Sequence, residues 1–177
     1  MGLRYKKITL YHGTVSIFTS IDLNKCRPFS DFGKGFYTAV TRKQGVNMAE
    51  HRQIETYKRT NCKEPQRLYK YEIIENYQNI AVMKFDTADI DWVEFVLNNR
   101  RSKTFNHNFD LVIGPTADDR TNDVLDLYLD GVYGDVGSTG ALDFLLKQLE
   151  PQNLGIQYCF LTEKSTKLLT LMEVILL

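Results

Sequence analysis

The sequence predicts an α+β fold, on three observations. Strand-like and helix-like segments are interspersed along the chain. Several of the strand segments read as antiparallel neighbours rather than units of a doubly wound sheet. No internal repeat or low-complexity linker breaks the chain, so its 177 residues read as one domain spanning 1–177. Hydrophobic residues make up 43%, enough for a core, and charged residues 25%, the ordinary globular share. The 22 basic and 22 acidic residues cancel. A neutral chain gives no net field to draw nucleic acid or an anionic membrane as the main partner.

Each element has its own signal. In "KKITLYH" (6–12), Ile8, Leu10 and His12 alternate with Thr9 and Tyr11, the period of a strand. Residues 13–33 are loop-like, rich in Ser, Asn, Gly and Pro. "GFYTAV" (35–40) is a second strand. Thr41 then caps a helix over 42–59, weakened but not broken by Gly45. "RLYKYEII" (67–74) alternates as a strand, and "NIAVMKF" (79–85) reads as another. A helix follows over 87–101, capped by Asp86 or Thr87, with Ile90, Val93, Phe95 and Leu97 inward. "FDLVIGP" (109–115) is a buried strand. Helices are expected over 120–134, stopped by glycine, and over 138–150, capped by Ser138 or Thr139. "IQYCFLT" (156–162) is a strand, and a short helix and a further strand close the chain.

The N-terminal "MGLRYKKITLYHG" holds no apolar stretch of signal-peptide length, and no segment nears the ~18 apolar residues of a membrane span. Lys6 stands where myristoylation expects Ser or Thr. A cytosolic protein without membrane partners is the expectation. Cys26, Cys62 and Cys159 are odd in number and widely spaced, with no Cys-x-x-Cys pair. That spacing suits neither a disulfide framework nor structural zinc, and no metal is expected. Cys159, inside "QYCFL", reads as a small buried hydrophobe.

Three stretches carry candidate chemistry. In "LYHGT" (10–14), His12 at a strand end offers an imidazole to a ligand, and Gly13 permits close backbone approach. The plainer alternative is a histidine packed under a turn. In "SDFGKGFYTAV" (30–40), Gly33 and Gly35 loosen the chain before Tyr37, whose ring would stack on a flat, cationic heterocycle. The alternative is a turn with Tyr37 in the core. In "GIQYCFLTEK", Gln157 opens an apolar strand, where a buried amide needs partners for both its oxygen and its nitrogen. Otherwise it is a surface glutamine at a sheet edge. Thr162 is a helix cap beside Glu163.

The order of these stretches resembles the ADP-ribosyltransferase superfamily. "FGKGFYTA" (32–39) is similar to the Phe-Gly-Lys-Gly-Ile-Tyr-Phe-Ala stretch of poly(ADP-ribose) polymerases. "YHGT" (11–14) is similar to the first-strand motif of the diphtheria-toxin-like branch, whose signature is His, Tyr, then Glu or another polar residue. "QYCFLT" (157–162) stands where polymerases carry Glu-Tyr and an apolar run. "LYHGT", "DFGKGFY", "DLVIGPTADD" and "QYCFLTEKSTKLL" together resemble an uncharacterised bacterial domain family of that superfamily and span residues 10–169.

The resemblance implies a split β-sandwich of two small sheets with flanking helices, and NAD as the bound substrate. It implies that His12 binds the adenosine ribose, the Gly13 backbone holds the nicotinamide amide, and Tyr37 stacks on the nicotinamide. Thr14 and Lys34 would touch the ribose or phosphates, the Gly-Lys-Gly hinge with Gly35 would bring its backbone close to NAD, and Gln157 would orient the nicotinamide ribose. Positioning and electrostatics would carry catalysis, since NAD brings its own leaving group.

Two departures qualify the match. The usual catalytic glutamate is Gln157 here, a neutral amide that binds a hydroxyl but lends no full charge to a developing cation. Ten or eleven residues past the tyrosine, polymerases place a second aromatic; here Asn47 and Met48 stand there. Met48 packs a ring only through its polarizable sulfur. Asp118 and Asp119 in "GPTADDRTNDV" are read either as helix-start capping residues or as a carboxylate pair for a base, an arginine acceptor or a cation. His51 and His107 read as exposed or helix-face histidines. The expectation is an NAD-dependent mono-ADP-ribosyltransferase with an unknown acceptor, in a toxin or defence setting with a small antitoxin partner. The alternative is a module that binds NAD or ADP-ribose without catalysis.

Overall fold

Seven strands and five helices follow one another in the computed structural model, which describes residues 5–101, 106–117, 119–149 and 154–177, with the backbone alone described at Asp119 and Arg120. In chain order they are β1 (Lys7–Thr14), β2 (Phe36–Ala39), α1 (Arg42–Thr60), β3 (Arg67–Ile74), β4 (Val82–Lys84), α2 (Ile90–Arg101), β5 (Leu111–Pro115), α3 (Asp119–Leu129), α4 (Thr139–Leu149), β6 (Ile156–Phe160), α5 (Glu163–Thr166) and β7 (Leu169–Leu176). A short 3₁₀ turn, Leu23–Lys25, lies between β1 and β2.

The strands build one mixed sheet in the order β4-β5-β6-β2-β1-β3-β7, parallel only between β4 and β5. β1 pairs with β3 over its whole length, Lys7↔Ile74 through Thr14↔Arg67. On its other side it meets β2 at a single pair, Tyr11↔Ala39. A continuous sheet thus stands where two separate small sheets are expected. Within it, β1 and β2 meet at a seam one pair wide, between a four-stranded and a three-stranded half.

Each face of the sheet has its own apolar cluster. Leu10, Phe36, Tyr69, Tyr71, Ile73, Leu111, Ile113, Tyr158 and Phe160 form one, with Phe18, Ile21 and Tyr77 from connecting segments packed on it. The other contains Val112 and Cys159 from the sheet with Trp92, Val93, Val96, Leu125 and Leu145 from α2, α3 and α4. Burial in this cluster pushes the Cys159 thiol far up, as suits a small hydrophobe rather than a nucleophile.

α1 crosses β1 by a contact between glycines. A Cβ on Gly13 would run into the Gly45 carbonyl and the Ala49 amide, and one on Gly45 would meet Tyr11 Cβ and Leu68 Cδ1, both at 2.7 Å. Gly45 weakens the helix locally and makes this approach possible. Thr41 Oγ1 accepts from the Gln44 N–H at 3.2 Å to start α1, and Asn61, at φ 56°, ends it.

Several boundaries move, each for a local reason. α2 starts at Ile90 because the Asp89 carboxylate accepts from the Trp92 N–H at 3.0 Å. Its buried face is Trp92, Val93, Phe95 and Val96, while Ile90, expected inward, is 36% exposed. The strand expected over 79–85 keeps only Val82–Lys84. β5 starts at Leu111 because Asp110 turns its carboxylate to the Ala81 N–H and the Thr162 hydroxyl, at 2.9 and 2.8 Å. α3 stops at Leu129, short of the expected 134, where Gly131 and Gly134 take φ of +75° and +112°. Thr162 and Ser165 close a reciprocal capping box around α5.

Candidate functional site

β6, β2 and β1 are consecutive at the centre of the sheet, so Gln157, Tyr37 and His12 lie on three neighbouring strands despite separations of 25 and 120 positions. β1 pairs with β2 only at Tyr11, so His12, Gly13 and Thr14 run past the seam without ladder partners on that side.

The His12 ring stacks on Phe36 with centroids 4.3 Å apart, and Phe18 meets it edge-on at 5.9 Å. Nδ1 lies 2.7 Å from the Tyr37 carbonyl oxygen. A carbonyl only accepts, so Nδ1 carries the proton and Nε2 is a bare acceptor. Burial among these rings pushes the His12 pKa down to about 4, against a smaller opposing pull from the Tyr37 carbonyl. The imidazole is therefore neutral at pH 7. Among the described residues nothing donates to Nε2, which suits it to receive a hydroxyl proton.

The pleat sends Tyr37 to the opposite face. Its hydroxyl donates to the Gly33 carbonyl at 2.8 Å and accepts from the Phe32 N–H at 2.9 Å. One phenol thus fastens the Gly-Lys-Gly turn, and Phe32 lies roughly parallel to its ring at 6.4 Å. Burial, together with Cys159 and Asp31 nearby, holds the phenol well above its ordinary range and keeps it protonated. Tyr37 as a whole is half-buried.

Gln157 is buried, so the surface-edge alternative does not hold. Its Nε2 donates to Asp31 Oδ2 at 3.0 Å and to the Pro115 carbonyl at 3.4 Å. Two acceptors fix which way the amide faces and leave Oε1 with no donor among the described residues. The sequence gives no hint of what surrounds it. Asp31 Oδ1 accepts from Arg100 Nε and an Arg100 terminal nitrogen, at 3.0 and 2.6 Å, and Oδ2 also accepts from the Ala117 N–H at 3.3 Å. Pro115 O takes a further bond from Trp92 Nε1 at 3.2 Å. Asp31, Arg100 and Gln157 thus join the first loop, α2 and β6.

Gly13 has its missing side chain accounted for by α1. Gly35 has its own accounted for by β6, where a Cβ would meet Cys159 Sγ at 2.6 Å and Phe160 O at 2.7 Å. Thr14 is buried, and its hydroxyl accepts from the Ser16 N–H at 3.1 Å. Met48 is half-buried on α1, and Lys34 is exposed. Asp118 lies outside the described residues, and Asp119 contributes the first backbone residue of α3.

His107, read as exposed or on a helix face, instead sits between Phe95 and Phe109 with Nε2 3.1 Å from the Phe32 carbonyl. It lines a 490 Å³ cavity with Gly33, Lys34, Asn99, Phe109 and Thr162. Among the described residues no group of three or more His, Cys, Asp or Glu side chains is placed to hold a metal ion, and no helix is long and apolar enough to cross a membrane.

Fold and site together define the class: an α+β domain with a seamed mixed sheet whose three central strands carry a neutral histidine, a tyrosine and a buried glutamine. The family described as "protein of unknown function (DUF3990)" matches residues 8–171, and the chain belongs to it. No curated protein and no solved structure matches the chain.

Proposed function

We propose that the chain binds NAD across the seam and transfers its ADP-ribose to an acceptor nucleophile. One observation carries this reading: the residues of the His-Tyr-Gln signature, far apart in sequence, stand on three adjacent strands, and among the described residues nothing donates to His12 Nε2 or Gln157 Oε1. His12 Nε2 accepts from a ribose hydroxyl, and the Tyr37 ring stacks on the nicotinamide. Gln157 Oε1 accepts from a hydroxyl of the nicotinamide ribose and fixes its orientation. In the reaction the bond between ribose C1′ and the nicotinamide nitrogen breaks, and its electron pair leaves with nicotinamide. The oxocarbenium-like C1′ is then captured by the acceptor, which gives up its proton to solvent.

Turnover is expected to be slow. Gln157 adds no charge, and the carboxylate that its amide nitrogen donates to, Asp31, is paired with Arg100. Loss of one well-placed electrostatic group costs about 10²–10³ in rate. Mono-transfer or NAD hydrolysis fits this better than chain elongation. A toxin or defence effector, with a small antitoxin as partner, is the cellular setting that suits such a domain. The second reading, a binding module without catalysis, is favoured by the commitment of the Gln157 amide nitrogen to Asp31 and Pro115. Nicotinamide release from NAD, followed for the parent, Tyr37→Ala and Gln157→Ala, separates the two. Release that both folded variants lose supports transfer, NAD binding without release supports the module, and no NAD binding removes both.

A further inference from the structure

The loop between β1 and β2 and the outer turns of α1 bring three cations to the His12 end of the seam. Arg27, from the loop, donates to both oxygens of Glu55 at 2.8 Å. Arg52, one turn before Glu55 on α1, donates to Glu55 Oε2 at 3.3 Å. Arg52 also lies one turn past Ala49, whose amide packs against Gly13. This puts its guanidinium beside β1, where its charge acts on His12. Lys34 and Arg52 both act on the Cys26 thiol, which places the Lys34 ammonium in the same neighbourhood. Two guanidiniums therefore share one carboxylate, Glu55, with the Lys34 ammonium near Cys26 as a third cation, while Asp22 is paired with Lys25 at 3.5 Å. The surplus is two positive charges in a chain with no net charge.

We propose that Arg52 and Arg27, oriented by Glu55 and assisted by Lys34, form the binding site for the pyrophosphate of the dinucleotide whose ribose His12 receives. The inference rests on the NAD reading above and adds the subsite for its anionic bridge. Paired guanidinium forks match non-bridging phosphate oxygens in a way that an isolated lysine does not. Glu55 holds the two forks together without cancelling them, so the site stays set when empty. A two-charge surplus suits a diphosphate better than a long polyanion, for which the chain offers no basic run.

The test compares calorimetric titrations of NAD, inorganic pyrophosphate and adenosine into the parent, Arg52→Gln, Arg52→Lys and Arg27→Gln, with thermal melts to establish folding. Arg52→Gln is expected to weaken NAD and pyrophosphate about 10- to 100-fold while adenosine binding is unchanged, with Arg52→Lys between the two. NAD affinity within about twofold of the parent in both glutamine variants overturns this inference and leaves the NAD reading standing. Pyrophosphate binding that Arg52→Gln loses, in a parent that ignores NAD, keeps the anion site and removes the NAD reading. A parent that binds neither removes both.

Discussion

His12 and Gln157 flank β2 from either side, and different forces hold them. His12 is set by aromatic packing and one bond to a main-chain carbonyl, so its environment strips it of charge. Gln157 is set by an ion pair between two other residues, so its position depends on charge being present. The histidine belongs to the half of the sheet covered by α1, the glutamine to the half covered by α2, α3 and α4. The contrast teaches that a polar group in a sheet interior can be kept in place by removing its charge or by borrowing someone else's.

The sharpest way to break the comparison is at Asp31. Asp31→Ala leaves the Arg100 guanidinium, 21% exposed, without its partner and frees the Gln157 amide. A loss of about 3–5 kcal/mol in urea unfolding is expected, the usual cost of stranding a largely buried charge. A loss under ~1 kcal/mol would mean that Gln157 is held by packing, like His12.

The histidine side responds to pH instead. The unfolded histidine takes its proton near the ordinary value of 6.5, and folded His12 only near 4. Within that window the unfolded chain binds more protons, so this contribution is complete above about 6.5 and is lost as pH falls toward 4. Between pH 7 and 5 the expected loss is about 2 kcal/mol. His107 is pushed down as well, by burial, and adds a loss of the same sign. His12→Phe isolates the share of His12: the fall in its unfolding free energy in urea over that range should be smaller than the parent's by this amount, and an equal fall would remove the neutral-imidazole argument.

The smallest effect is expected at Arg27. Its pairing with Glu55 is exposed on both sides, with side chains 54% and 44% accessible. Arg27→Gln should therefore change the melting behaviour by under ~1 kcal/mol. A larger loss would recast the arginine pair as part of the fold rather than as groups held ready for an anion.

What was legible in the sequence follows from range. The alternation in "RLYKYEII" (67–74) is local and reproduces β3 residue for residue. The Thr162 cap and the burial of Cys159 likewise depend on near neighbours. Gly45 was visible only as a helix weakener, because its role comes from β1 passing beneath it. The bonds of Asp31 to Arg100 and Gln157 span 69 and 126 positions, and no spacing rule reaches that far. The glutamine could be singled out, but its partners could not. His107 was misplaced for the same reason: its aromatic neighbours come from both α2 and the approach to β5.

The seam carries a mechanical consequence. A sheet whose halves share one residue pair has its weakest cooperative link at Tyr11 and Ala39, with the His12 contact to the Tyr37 carbonyl as a second stitch. Local opening should begin there, so amide exchange near the seam should be faster than in the eight-pair ladder between β1 and β3. A molecule lying across that line touches both halves at once, and its grip would be recorded as slowed exchange on strands it need not contact.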